Sequence, residues 1–133
     1  MLLGFEHVNL VTSNMDRTLA FYVGLLGLTL RVRRRTDSGG EVAFVDTPGG
    51  GMEIVSPPGP VATPARLVPR TEAGIGHIAF TVDDVDAEYE RLSQAGVPFR
   101  APPRLAVNSD VLHKVAFCSD PDGVVVELCQ RPA

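Results

Sequence analysis

The sequence contains no tryptophan and only two cysteines, and it has no apolar run long enough to cross a bilayer. Two cysteines cannot build a disulfide framework, and we expect Cys118 and Cys129 to be free thiols in a reducing compartment. The first residues show no basic segment followed by an apolar stretch, so we expect no signal peptide and a cytoplasmic location. These absences argue against the membrane-spanning class and against the disulfide-stabilised secreted class.

The chain also lacks an excess of positive charge. Its formal net charge is -4 and its isoelectric point is near 5.3, which argues against a nucleic-acid partner because no overall field gathers phosphates. Four arginines occur within residues 31–35, and we interpret them as a solvated strand face; the alternative is a grip for the carboxylates or phosphates of an acidic carrier. With 44% hydrophobic residues, the chain suits a single globular domain over residues 1–133.

What the sequence does contain is a repeat. His7 and His77 lie 70 residues apart (77 − 7), each within a similar apolar segment. Near the end of each half, an acidic residue lies within an apolar strand pattern: Glu53 in the first half and Glu127 in the second. Because the chain has only three histidines, a matched pair is not expected by chance. The repeat predicts a duplicated module built around one metal; the alternative is two structural histidines and two exposed edge acids.

The first module is predicted over residues 4–56, in the order strand, helix, three strands. Alternating apolar and polar residues indicate the strands. Ser13 is the predicted N-cap of an amphipathic helix of about three turns, which ends at Gly27. The predicted strands are residues 5–11, 28–33, 41–46 and 52–56.

The second module is predicted over residues 75–131 in the same order, after a proline-rich linker over residues 57–74. Asp83 or Asp84 is the predicted N-cap of its helix, which ends at Gly96. A loop over residues 102–110 interrupts the strands. The predicted strands are residues 75–82, 97–101, 112–118 and 124–130.

Strand alternation places each repeated acid on the face opposite its apolar neighbours. Met52 and Ile54 should face the helix while Glu53 points away, and Glu127 stands in the same relation to its own neighbours. A carboxylate is costly to bury unpaired, so each acid needs a cation or hydrogen-bond donors on its own face. We therefore expect that face of each sheet to form a polar cavity or to meet water.

Several short motifs of the chain match those of a known superfamily. They are His7-Val-Asn-Leu10, residues 16–22, Leu26-Gly-Leu28, residues 76–82, Val115-Ala-Phe117, Asp120-Pro-Asp-Gly123 and Val126-Glu-Leu128. Together they resemble the vicinal oxygen chelate superfamily, which includes glyoxalase I, methylmalonyl-CoA epimerase, extradiol dioxygenases, and the fosfomycin and bleomycin resistance proteins. The resemblance covers nearly the whole chain and implies an α+β fold of two tandem βαβββ modules, whose mixed sheets curl around a shared cleft.

The resemblance also implies a metal site and a quaternary structure. It places the metal ligands at His7, Glu53, His77 and Glu127. Members of the superfamily are often dimers, so a homodimer is expected, with the modules paired within one chain or swapped between chains. The expected partner is a small-molecule substrate.

Similarity to glyoxalase I implies a lyase or isomerase that moves a proton beside a carbonyl group. One divalent ion per site, with Ni, Zn, Co, Mn and Fe(II) all open, would act as a Lewis acid and stabilise the enediolate formed when the proton leaves. In this resemblance Glu127 is the base and Glu53 is its partner across the cleft.

Three other functions occur within the same superfamily. Methylmalonyl-CoA epimerases carry a carboxylate base just before the third strand, where Asp37 lies; the alternative is that Asp37 is an ordinary loop acid. Extradiol dioxygenases use two histidines and one carboxylate around Fe(II), and a fourth ligand would crowd their open face. Four intact ligand positions argue against a metal-free drug-binding protein of the bleomycin resistance type.

The candidate substrate contacts are Asn9, Asp37 and His113. Asn9 follows the first ligand, near the position where many glyoxalase I sequences carry a basic side chain, which argues against glutathione specificity. His113 shares the face of the second acid if Cys118 pairs with Val124 across the last turn. A slip of one residue would turn His113 outward.

Overall fold

The computed structural model describes residues 1–62 and 68–133. The chain divides into two compact units, Met1–Thr63 and Pro64–Ala133. Of the linker predicted over residues 57–74, residues 63–67 lie outside the described residues, and the remainder forms neither helix nor strand. In the part of the chain that is described, no helix is long and apolar enough to cross a membrane.

The described residues of the first unit form a four-stranded sheet and a helix. The strands are β1 (His7–Val11), β2 (Thr29–Arg35), β3 (Glu41–Thr47) and β4 (Gly50–Ser56). Their order is β1-β4-β3-β2, with β1 parallel to β4 and the other neighbours antiparallel. The helix α1 (Met15–Leu19) continues as a π-helical segment, Ala20–Leu25.

One face of this sheet carries the core of the unit, and α1 packs against β4. Val45, Ile54 and Tyr22 are fully buried. Val45 and Ile54 each lie on the apolar face of their own strand, where the alternation of apolar and polar residues predicts them. Full burial of one such side chain contributes roughly 1.5–3 kcal/mol. Hydrophobic burial therefore decides which face of the sheet is left for the repeated histidine and acid.

Three local details of the first unit differ from the prediction. The strand β1 begins at His7 rather than at residue 5. Asn14 caps α1 by accepting a hydrogen bond from the backbone N–H of Arg17, so the prediction of Ser13 was wrong. The second half of the helix is π-helical, and apolar periodicity missed this because one wider turn barely alters the pattern.

The described residues of the second unit repeat the plan of the first. The elements are β5 (Ile78–Thr81), α2 (Val85–Gln94), β6 (Arg104–Leu105), β7 (Lys114–Ser119) and β8 (Val125–Gln130). The sheet order is β5-β8-β7-β6, and β5 is parallel to β8. Each strand therefore holds the same place as its counterpart in the first sheet. Asp84, one of the two predicted N-caps, accepts a hydrogen bond from the backbone N–H of Ala87.

The prediction of a strand over residues 97–101 is wrong. Phe99 forms an isolated bridge to Cys118, because Pro98 has no N–H for a ladder and two prolines follow at positions 102 and 103. The edge partner of β7 is β6, which has two residues and lies inside the predicted loop. The prolines thus move the edge strand that pairs with β7 from residues 97–101 to Arg104–Leu105.

The hairpin β7–β8 has a register two residues away from the predicted one. Cys118 pairs with Val126 rather than with Val124. A shift of two residues leaves every side chain on its predicted face. Phe117 consequently lies opposite Glu127, on the face that the alternation assigns to the acid.

Asp120 closes the turn between β7 and β8. Its side chain is buried, and its Oδ1 accepts hydrogen bonds from the backbone N–H groups of Asp122 and Val124, both at 2.9 Å. Its own backbone N–H donates to the carbonyl of Val124 at 2.9 Å. These bonds pair Asp120 with Val124, and this pairing sets the observed register.

Candidate functional site

The first two candidate ligands, His7 and Glu53, lie on the same face of the first sheet. Asn9 is the parallel register partner of Glu53, and its Nδ2 donates a hydrogen bond of 2.7 Å to Glu53 Oε1. His7 precedes Asn9 by two residues on β1, so both side chains project from one face. Asn9, a candidate substrate contact, therefore orients the first acid.

The imidazole of His7 has a nitrogen without a hydrogen-bond partner. Its ring meets Phe44 edge-on, with centroids 5.8 Å apart. Nδ1 is buried and makes no hydrogen bond within the described residues, and Glu6 Oε1, at 3.6 Å, is too far for one. Leaving such an atom unsatisfied costs about 1–3 kcal/mol, and imidazole nitrogens are common metal ligands. The orphaned nitrogen therefore fits the predicted role of His7.

The second pair, His77 and Glu127, is joined directly. His77 Nε2 and Glu127 Oε2 lie 2.6 Å apart, close enough for a strong electrostatic interaction between the imidazole and the carboxylate. The Glu127 side chain is 8% exposed, whereas that of His77 is 42% exposed. The buried acid is thus paired with a donor on its own face, as the cost of burying a carboxylate requires.

The two half-sites share one arrangement. His77 meets Phe117 edge-on at 5.4 Å, as His7 meets Phe44. Each phenylalanine is the antiparallel register partner of the acid in its own unit. Neither ring was predicted as a site residue, although the tripeptide Val-Ala-Phe is repeated at residues 42–44 and 115–117.

Each unit supplies one imidazole and one carboxylate to the predicted metal site. Within either unit, the described residues gather no group of three or more His, Cys, Asp or Glu side chains able to hold a metal. Nitrogen and oxygen donors of this kind suit Zn(II) and other divalent first-row ions. The donor chemistry therefore fits the implied metal, and the meeting of all four ligands at one ion stays a prediction.

The other two candidate substrate contacts lie at chain positions exposed to solvent. Asp37 is in the turn between β2 and β3. His113 directly precedes β7, and its backbone N–H donates to the carbonyl of Gln130 at 2.8 Å. Alternation still assigns His113 to the face of Phe117, and the substrate role of both residues stays a prediction.

Two arginines of the basic run are neutralised by carboxylates of the first unit. Arg33 contacts Asp16 at 2.8 Å and Glu41 at 2.9 Å. The hydrogen bond between Arg33 and Glu41 raises the pKa of Arg33 and lowers the pKa of Glu41. Arg31 contacts Asp46 at 3.1 Å. These pairs agree with the interpretation of the run as an exposed strand face.

A pocket of about 160 Å³ lies in the second unit beside Glu127. Its wall is largely apolar and includes Val111, Val115 and Phe117, and Arg104 contributes a positive charge. Arg104 was not among the predicted site residues, because the edge strand of this sheet was predicted at residues 97–101 and Arg104 fell in the predicted loop.

Burial protects both cysteine thiols, which are free as predicted. Burial raises the pKa of Cys118 to about 11, and burial also raises the pKa of Cys129. Because the thiolate is the reactive form, we expect DTNB to modify the native protein at least about a hundredfold more slowly than the urea-unfolded chain at mildly alkaline pH. The rate of colour release measures this difference. A native rate within about threefold of the unfolded rate would contradict the burial of both thiols.

The fold agrees with comparisons to known proteins. Residues 4–128 match the model of the glyoxalase/bleomycin resistance protein/dioxygenase superfamily, and the chain belongs to this family. The uncharacterised protein YaeR of Escherichia coli (strain K12) is 30% identical over 130 residues, which are 95% of each chain. A probable lactoylglutathione lyase of Vibrio cholerae is 30% identical over 132 residues, covering 94% of this chain and 88% of the relative. The solved structure of glyoxalase I from Zea mays superposes with a TM-score of 0.79 at 26% identity, over 98% of this chain and 45% of the maize chain.

Proposed function

We propose that the chain is a metal-dependent lyase or isomerase of the glyoxalase I type, which transfers a proton at the carbon beside a carbonyl group. The carboxylate of Glu127 carries this proposal, because it is buried, in close contact with His77, and part of the pocket wall. A general base must reach the substrate from a fixed position. Similarity to a probable lactoylglutathione lyase and to a glyoxalase I supports this reaction class.

In this proposal Glu127 takes the proton. His77 binds its Oε2, so the carboxylate is held in one orientation toward the pocket. The side chain of Glu127 is only 8% exposed, and limited access of water strengthens its electrostatic interaction with a developing charge. On the first sheet, Asn9 orients Glu53 in the same manner, and Glu53 is the second acid of the proposed mechanism.

The proposed metal ligands are His7, Glu53, His77 and Glu127. A divalent ion at these donors supplies a Lewis acid that stabilises negative charge on the substrate oxygens. The orphaned Nδ1 of His7 supports this assignment, because an unsatisfied buried nitrogen is a cost that a bound ion or ligand would remove.

The test of this function is metal affinity together with activity. After reconstitution with Ni, Zn, Co, Mn or Fe(II) in turn, we expect the wild-type protein to bind one ion per site and to isomerise the methylglyoxal–glutathione adduct or a smaller carbonyl analogue. His7→Ala and His77→Ala each remove one nitrogen ligand, and we expect each to weaken metal binding by at least about tenfold. Elemental analysis and isothermal titration calorimetry measure these affinities.

His113→Ala is the matched control, because His113 is the third histidine of the chain and is not one of the four proposed ligands. We expect it to bind metal as the wild type does. Failure of the wild type to retain any metal would refute the site, and turnover of methylmalonyl-CoA alone would favour the epimerase alternative.

A further inference from the structure

The two half-sites contain a second repeated feature, an arginine placed over the phenylalanine ring. The guanidinium carbon of Arg31 lies 5.1 Å from the centre of the Phe44 ring, and that of Arg104 lies 5.9 Å from the centre of the Phe117 ring. The two rings are counterparts, because Phe44 and Phe117 each pair with the acid of their own unit. The arginines reach the rings from different strand positions: Arg31 lies at the irregularity beside Phe44, whereas Arg104 pairs with Val115.

The surroundings of the two arginines differ in charge. Arg31 is held by two carboxylates, Asp46 at 3.1 Å and Glu6 at 3.4 Å. Among the described residues, Arg104 forms no ion pair; its Nη1 donates to the backbone carbonyl of Leu105 at 3.3 Å. A guanidinium has five N–H donors, so most of the hydrogen-bonding capacity of Arg104 is left for another group.

The two acids that hold Arg31 have no counterparts in the second unit. Asp46 lies two positions after the first ring, and Ser119 lies two positions after the second. Glu6 directly precedes the first candidate histidine, and Gly76 directly precedes the second. Both counter-charges of the first unit are thus replaced by uncharged residues in the second.

We propose that Arg104 recognises the carboxylate of a small, otherwise apolar carbonyl substrate in the pocket beside Glu127. This inference rests on the proposed function for the reaction, and on the pocket and the ion-pair difference for the recognition. Arg104 and Glu127 both line the pocket, whose remaining wall is largely apolar. The apolar part of the ligand would contact Val111 and Val115, with its anionic end on the guanidinium.

The size and charge of the pocket favour one kind of ligand group. A volume of about 160 Å³ is below the roughly 300–1,000 Å³ of sites that hold drug-sized ligands, so the pocket encloses only a compact group. One arginine matches one carboxylate, to which a guanidinium can donate two parallel hydrogen bonds. A phosphate dianion would meet only a single cation here, next to the negative Glu127, so the carboxylate is the better match.

The experiment compares isovalerate with isovaleramide, which have nearly the same shape but differ in charge. NMR of the full-length chain with labelled valine methyl groups reports binding through Val111 and Val115, first without metal and then with it. We expect wild-type protein to bind isovalerate at least about tenfold more tightly than isovaleramide. The methyl shifts also locate the ligand in the pocket.

Two substitutions test Arg104. Arg104→Gln removes the charge, and we expect it to abolish the preference for isovalerate. Arg104→Lys keeps the charge but cannot donate two parallel hydrogen bonds, so we expect a smaller preference than in wild type. Arg100→Gln is the matched control, because Arg100 is an exposed arginine that does not line the pocket; it should leave the preference unchanged.

The outcomes separate this inference from the proposed reaction. Equal binding of the two probes by wild type, or an Arg104→Gln variant that still prefers isovalerate, would overturn the role of Arg104. An equal loss of the preference in Arg100→Gln would also overturn the role of Arg104, because the preference would then depend on the net charge of the protein. Because the probes are measured without metal, absence of metal binding or turnover would refute the reaction while leaving the recognition result intact.

Discussion

Glu127→Gln is expected to lower the turnover number for proton transfer by roughly 10²–10⁴-fold, the usual contribution of a positioned general base. The glutamine amide has nearly the same shape as the carboxylate but cannot accept a proton. Its carbonyl oxygen can still accept a hydrogen bond from His77, so the sheet should remain folded. Steady-state kinetics at saturating metal measures the loss, because saturation separates the role of base from the role of ligand.

Glu90→Gln is the matched control for this substitution. Glu90 is an exposed acid on α2, so the same change of charge there should leave turnover within about twofold of wild type. A Glu127→Gln variant that keeps most of its turnover at saturating metal would assign the base to another group. Glu53→Gln under the same conditions would then show whether the acid on the first sheet takes that role.

Asp120→Ala is expected to lower the free energy of unfolding by about 3 kcal/mol. The substitution leaves two backbone N–H groups, those of Asp122 and Val124, without their acceptor, and each lost hydrogen bond to a charged group costs roughly 1.5–3 kcal/mol when water does not replace it fully. Asp120→Asn keeps one carbonyl oxygen for the same two donors. We expect it to cost only about 1 kcal/mol.

Urea denaturation followed by circular dichroism measures both variants. Asp110→Ala is the control, since Asp110 is an exposed acid in the loop before β7 and should change stability by less than about 0.5 kcal/mol. Equal midpoints for Asp120→Ala and Asp110→Ala would show that the turn does not depend on the buried carboxylate.

Much of the fold could be predicted because the same local patterns occur twice. Alternation identified the first strand to within two residues, and Asp84 was recognisable as a cap because it stands directly before a helical apolar pattern. The edge strand of the second sheet could not be placed in the same manner. Residues 97–101 have strand-forming side chains, but Pro98 and the two prolines that follow them favour pairing further along the chain.

The candidate site was predictable in its residues but not in its contacts. Alternation of side chains within each strand assigns His7 and Glu53 to the face opposite their buried apolar neighbours. The hydrogen bond between Asn9 and Glu53, and the contact between His77 and Glu127, depend on the register of strands far apart in sequence. Arg104 was missed because the edge strand that carries it was predicted too early in the chain.

The two-residue strand β6 has an evolutionary consequence. The seven residues that follow it, 106–112, include much of the pocket wall yet form no part of the sheet. Substitutions there can alter which molecules are accepted without breaking ladder hydrogen bonds, so new specificities can arise at small cost in stability. In the first unit the corresponding strand β2 has seven residues, and comparable changes would disturb the framework itself. A duplicated ancestor could thus diverge in one copy while the other preserved the architecture.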